Sequence, residues 1–168
     1  MLLYLVRHGY AGDADDTTDP DRPLTDDGVG IVQSLGAWMI DAKASPTAIW
    51  ASPMVRTQQT ARILRDVLGV SKRLVTETGL QPENRLANAS LRMIVKKAAD
   101  TGQKRLLMVS HHDSISAGMR TLNFMSADEF DVFAMGEMRA YDVDRKKYSW
   151  EERYRVVPSM DLGEVDYY

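Results

Sequence analysis

The sequence predicts an α/β fold: a single-domain, three-layer α/β/α arrangement around a mostly parallel sheet. Three observations predict it. Short apolar runs at residues 2–6, 48–51 and 105–109 are separated by longer segments whose apolar residues recur at helical spacing. The runs are apolar throughout, as strands covered on both faces are. Strand-like and helix-like segments also alternate through most of the chain, an order that builds a parallel sheet with helices on both sides.

The first run, Leu2-Leu3-Tyr4-Leu5-Val6, stops at Arg7-His8-Gly9. A polar loop over residues 10–24 holds Asp13, Asp15, Asp16, Asp19, Asp21 and two prolines. Thr25 reads as a helix N-cap, with Asp26 and Asp27 favourable in the first turn. Val32, Leu35, Trp38, Met39 and Ala42 carry that helix. Ala48-Ile49-Trp50-Ala51 is the next strand. Ser52-Pro53 reads as a helix start, with a capping hydroxyl and proline at the first helical position, and the helix runs to Leu68 and Gly69. Arg73-Leu74-Val75 is expected as a short strand, and residues 76–88 as irregular.

Leu91, Ile94, Val95 and Ala98 mark a third helix closed by Gly102, and residues 105–109 form a strand that delivers His111 and His112. Asp113 is expected to cap a helix carrying Ile115, Met119 and Leu122. Ser126-Ala127-Asp128-Glu129 has capping-box spacing. Residues 137–143 and 148–157 read as two strands joined by Asp144-Arg145-Lys146-Lys147. In the second, Trp150, Glu152, Tyr154 and Val156 alternate as on a half-exposed edge strand. The division is one domain over 1–157 and an acidic, loose C-terminal tail over 158–168.

Composition narrows the function classes. The 168 residues suffice for one domain with a sizeable core. A net charge of −3 argues against a general nucleic-acid or membrane-surface binder. The absence of cysteine excludes disulfides, thiolate chemistry and cysteine-ligated metals. No apolar stretch approaches the ~20 residues of a membrane span. No targeting segment is visible, so the expected location is the cytoplasm.

All three histidines follow predicted strands, where ligands of α/β folds collect. Arg7-His8-Gly9 puts a cation, a nitrogen nucleophile and a turn-permitting glycine together. Arg56 lies one turn into the helix after the second strand, a poor place for a cation unless it faces an anion that the helix end also attracts. His111 stands where a strand passes into a helix N-terminus, a natural phosphate cradle. Alternation turns His112 away, toward a pocket-wall role. Arg22, fixed by Pro23 before a helix start, supplies a further cation. No carboxylate at ligand spacing accompanies the histidines, so no metal or other cofactor is expected.

Together Arg7-His8-Gly9, Arg22-Pro23-Leu24-Thr25, the Ser52-Pro53-x-x-Arg56-x-x-Gln59-Thr60 block and Ser110-His111 resemble the histidine phosphatase superfamily, with its phosphoglycerate-mutase-like fold. The resemblance is closest to the small SixA-type phosphohistidine phosphatases and spans about the first 115 residues. It implies that His8 is a nucleophile that becomes a phosphohistidine, and that Arg7, Arg56 and His111 stabilise the transferring phosphoryl group. Arg22, Gly9 and His112 are the implied substrate-binding residues. It further implies a protonated His111 when phosphate is bound.

Many relatives add a carboxylic general acid after the third strand. Here Glu77 and Glu83 are available, neither at a position that matches. An imidazole leaving group needs no such acid as badly as an alkoxide does, so the implied substrate is a phosphohistidine-bearing protein. The alternatives are a phosphomonoesterase acting on a small phosphorylated metabolite with Glu77 or Glu83 as acid, and a non-catalytic phosphoprotein-binding module. The aspartate-rich loop 13–21 reads as solvated, or as a rim that repels polyanions.

Overall fold

A computed structural model describes residues 1–13, 18–71, 74–82, 87–121, 132–144, 150–158 and 165–167. Among these, seven strands form one sheet: β1 (Leu2–Arg7), β2 (Ala48–Ala51), β3 (Val75–Thr76), β4 (Arg105–Ser110), β5 (Met138–Val143), β6 (Trp150–Pro158) and β7 (Val165–Tyr167). Their order is β3-β2-β4-β1-β5-β6-β7. The first four are mutually parallel. β5, β6 and β7 then continue antiparallel.

Four helices cover the sheet: α1 (Asp26–Asp41), α2 (Val55–Val67), α3 (Ala87–Asp100) and α4 (His112–Thr121). Alternation along β1 divides the core in two. Tyr4 and Val6 pack with Ile31, Val32, Leu35 and Leu64 of α1 and α2. Leu3 and Leu5 pack with Leu91, Ile94 and Val95 of α3 and Ile115 and Met119 of α4. The α/β/α expectation therefore holds, and so does the reading of β1 as buried on both faces. Thr25 caps α1 as expected, its hydroxyl accepting from the Gly28 N–H at 3.0 Å. Gly69 and Gly102 take the left-handed backbone after α2 and α3, with φ of +62° and +76°.

Several expectations are corrected. The third strand is Val75–Thr76 and leaves out Leu74, because parallel pairing with Trp50 and Ala51 selects those two residues. Helix α2 begins at Val55 behind an N-cap at Met54, whose side chain makes no capping bond, so Ser52 is not its cap. Helix α4 begins at His112, so Asp113 lies inside its first turn. β6 is not an edge, since Val156, Val157 and Pro158 pair with β7. Residues 165–167 thus join the sheet instead of trailing loosely. The 126–129 segment, most of the 144–147 turn, Arg73 and Glu83 lie outside the described residues.

The alternation proposed for β6 also breaks. Tyr154 faces Ala140 and Glu152 faces Tyr141, so Arg153 is an extra residue at a β-bulge. One extra residue reverses the facing of everything beyond it. Trp150 therefore packs on the α3/α4 side, while Val156 packs on the α1/α2 side. Arg155, paired with Arg139, is carried to the α3/α4 side.

Candidate active site

Strand order brings the site together. β4 lies between β1 and β2, so the residue after β4 sits between the two that follow its neighbours. The His8 N–H bonds the Ser110 carbonyl at 3.1 Å, and the Ser52 N–H bonds the Val109 carbonyl at 3.1 Å. β1 leads to α1 on one face and β4 to α4 on the other, which opens a crevice at the carboxyl end of the sheet.

His8 is held in one tautomer. Its Nδ1 lies 2.7 Å from the Gly9 carbonyl, which can only accept, so Nδ1 carries the proton. The Arg56 Nε–H, which can only donate, points at Nε2 at 3.2 Å. Nε2 therefore presents its lone pair. Burial pushes the ring's pKa down to about 4; the Gly9 carbonyl opposes this, and the Arg56, Arg7 and Arg22 charges reinforce it. These effects favour the neutral ring of His8 at pH 7.

Gly9 acts beneath His8. A side chain there would meet the Gly28 carbonyl at 2.6 Å, so glycine lets the start of α1 press against this turn. The Gly9 N–H also donates to the Thr60 hydroxyl at 3.3 Å, and that hydroxyl donates to the Arg56 carbonyl at 2.8 Å. The turn bearing His8 is thus tied to the helix bearing Arg56.

His111 lies edge-on to His8, with ring centroids 5.2 Å apart. Its Nε2 is 2.9 Å from the Ser52 hydroxyl. Burial, His8 and Arg56 push its pKa down to about 3, against a smaller upward pull from Asp19. In this state His111 is a neutral hydrogen-bonding group rather than a cation. His8, His111 and Arg56 are 6%, 4% and 3% exposed, and all three border one cavity.

That cavity, of about 400 Å³, is lined by Arg7, His8, Asp19, Arg22, Arg56 and His111, with Ala11, Pro82, His112, Asp113 and Met135. Arg22 sits there as expected. Its Nη2 donates to Asp19 Oδ1 at 2.5 Å and its Nη1 to the Gly12 carbonyl at 3.2 Å. Arg56 grips the same aspartate: Nη1 donates to the Asp19 carbonyl at 2.6 Å and Nη2 to Oδ2 at 3.3 Å. Asp19 was legible only as one of several loop carboxylates.

The far wall is braced from below. Arg7 Nη1 donates to the Phe133 carbonyl, and the Phe133 N–H donates to His112 Nδ1 at 3.3 Å. That contact leaves the His112 proton on Nε2. Glu137 and Arg139, both almost fully buried, pair at 2.5 Å. Glu137 also accepts from the Ala134 N–H at 2.6 Å, and the Arg139 guanidinium stacks 3.8 Å over the Phe133 ring. These residues escaped the sequence reading, since only the β-turn at Gly136 brings them to the site.

Glu77 is not among the described residues lining the cavity. Its carboxylate pairs with Lys97 Nζ at 2.8 Å and accepts from the Gly79 N–H at 3.4 Å. Among the described residues no group of three or more histidine or acidic side chains is placed to hold a metal. No helix of the described residues is long and apolar enough to cross a membrane.

Residues 3–82 match the model of the histidine phosphatase superfamily (branch 1). The chain has the histidine phosphatase fold. It superimposes on the protein histidine phosphatase SixA, solved with tungstate, with a TM-score of 0.81 at 20% identity over 95% of this chain and 97% of that one. A mycobacterial glucosyl-3-phosphoglycerate phosphatase gives 0.72 at 15% identity, covering 90% and 96%. A phosphoserine phosphatase mutant from Entamoeba histolytica, in complex with phosphoserine, gives 0.72 at 12% identity, covering 97% and 99%. No curated protein sequence matches the chain. The resemblance read from the four motifs is borne out, and the neighbours' differing substrates show that this histidine phosphatase fold does not by itself select one.

Proposed function

We propose that this chain is a metal-independent phosphatase that works through a phosphohistidine on His8 and takes its phosphoryl group from a histidine of another protein. The observation that carries the proposal is the tautomer lock. A side chain needed only to bind phosphate has no use for a lone pair fixed on Nε2, whereas a nucleophile requires it. Nε2 attacks phosphorus in line, and the leaving group departs with the electrons of its bond to phosphorus. Arg7, Arg56 and Arg22 offset charge on the equatorial oxygens, with His111 donating a hydrogen bond. The Arg56 Nε–H swings from His8 Nε2 to a phosphoryl oxygen as the new bond forms. Water then attacks the phosphohistidine on the opposite side, His8 leaves as the neutral ring, and phosphate is released.

The choice of a P–N substrate rests on the leaving group. Glu77 is engaged by Lys97 and Gly79, away from the cavity. A departing imidazole tolerates that, whereas an alkoxide loses about 10²–10⁴ in rate without a proton donor. A second reading, a phosphomonoesterase acting on a small metabolite, is favoured by one observation: the Asp113 carboxyl lines the cavity. Rapid-quench mixing with a 32P-phosphohistidine domain, para-nitrophenyl phosphate and phosphoserine separates the two. The expected result is label on His8 and a kcat/KM for the P–N substrate at least 10²-fold above either ester. Faster ester turnover that disappears in Asp113→Asn establishes the second reading. Full activity of His8→Ala refutes both.

A further inference from the structure

The phosphate cage holds an anion supplied by the chain itself. Asp19 gives Arg22 one carboxylate oxygen at 2.5 Å and Arg56 the other at 3.3 Å, while its backbone carbonyl takes Arg56 Nη1 at 2.6 Å. Arg56 has its third nitrogen, Nε, on the lone pair of His8 at 3.2 Å. All three nitrogens of that guanidinium are thus engaged, and one of them covers the nucleophile. Asp19 lines the same cavity as His8 and His111. Its side chain is 43% exposed, on a single 3-10 turn, Asp19–Asp21. The carboxylate therefore has solvent to move into, while the arginine it holds is only 4% exposed at its side chain and does not.

We infer that Asp19 is a resident competitor for the phosphoryl group: its carboxylate occupies the Arg22 and Arg56 donors, yields them to an incoming phosphoryl group, and reclaims them to expel inorganic phosphate. The inference rests on the reading of this cavity as a phosphate site. A simple aligning role for Asp19 makes the opposite forecast. An aligning carboxylate strengthens phosphate binding, so its loss weakens it. A competing carboxylate weakens phosphate binding, so its loss strengthens it.

The two are separated by titrating inorganic phosphate into the otherwise wild-type chain, Asp19→Asn and Asp19→Ala by calorimetry, with phosphate inhibition of turnover as a second readout. Asp21→Asn, on the same turn, controls for loss of a nearby loop charge. Replacing charge-assisted hydrogen bonds that phosphate must displace is expected to lower the phosphate Kd about tenfold or more in both Asp19 variants. The same variants should slow phosphate release after a single turnover, and Asp21→Asn should shift Kd less than about twofold. An unchanged or raised Kd in Asp19→Asn and Asp19→Ala overturns the competitor role while leaving the phosphate site intact. Absence of phosphate binding to the wild-type chain overturns the site and this inference together.

Discussion

Holding His8 neutral costs stability in mild acid, and the size of that cost follows from the site. In the unfolded chain the ring has the ordinary histidine pKa near 6.5, whereas in the folded protein burial brings it down to about 4. Between these values the unfolded state binds the extra proton, so stability is fully present above about pH 6.5 and is lost as pH falls toward 4. The linkage integral puts the loss from His8 alone, between about pH 7.5 and pH 5, at about 2 kcal/mol. Urea unfolding of the wild-type chain and of His8→Asn across that range measures it, because the carboxylates common to both cancel in the difference. The wild-type curve should fall more steeply by about that amount, and His111→Asn should remove a similar slope. His8 is itself one cause of the His111 depression, so the double variant should recover less than the sum. Parallel pH–stability curves for wild type and His8→Asn would falsify the neutral, buried state of His8. Activity should show no acid limb from His8 until the pH approaches about 4.

Gly9→Ala should destabilise the fold by about 1–3 kcal/mol and slow His8 phosphorylation, because the new methyl meets the Gly28 carbonyl at 2.6 Å and displaces the carbonyl that orients Nδ1. Thermal melting and single-turnover quench read the two effects. Ser52→Ala removes the 2.9 Å partner of a buried His111 nitrogen, so kcat/KM should drop about tenfold or more with little change in the circular dichroism spectrum. Arg139→Met leaves the Glu137 carboxylate buried without its 2.5 Å partner and should cost about 3–5 kcal/mol in urea unfolding. Pairing it with Glu137→Gln should restore part of that loss, and no restoration would show that Arg139 acts mainly through its stacking on Phe133.

The parts of the molecule legible in the sequence are those fixed locally. Apolar runs ending in Arg7-His8 and Ser110-His111 identified β1 and β4, helical spacing identified α1 and α3, and the Ser52-Pro53 start with the Gly69 stop identified α2. Arg56 was legible because a cation in a first helical turn is unfavourable without an anion to face. Ser52 was misread because a serine before a proline is equally good as a helix cap; only the β2–β4 register reveals that its hydroxyl faces His111. The reversal in β6 was hidden because a bulge has no sequence signature independent of its partner strand. Glu137 and Arg139 were not singled out in the 137–143 strand, and their burial beside Phe133 follows from the turn at Gly136. His111, read as a cation with phosphate bound, is neutral in this state because its neighbours His8 and Arg56 oppose a further charge.

The placement of β4 between β1 and β2 makes the site a report on the assembled sheet. The strands that lead to His8 and to the Arg56 helix, β1 and β2, are joined in the sheet through a strand contributed by residues 105–110. The stretch that matches the family model, 3–82, carries His8 and the cavity-lining Arg7, Arg22 and Arg56, yet lacks the strand between β1 and β2. During synthesis His8 and these arginines therefore precede the strand that comes to lie between β1 and β2. The backbone anchors of His8 on Ser110 and of Ser52 on Val109 form only when the chain threads a late strand between two early ones. The spacing of the strand ends that carry His8 and Ser52 is set when the central sheet is completed.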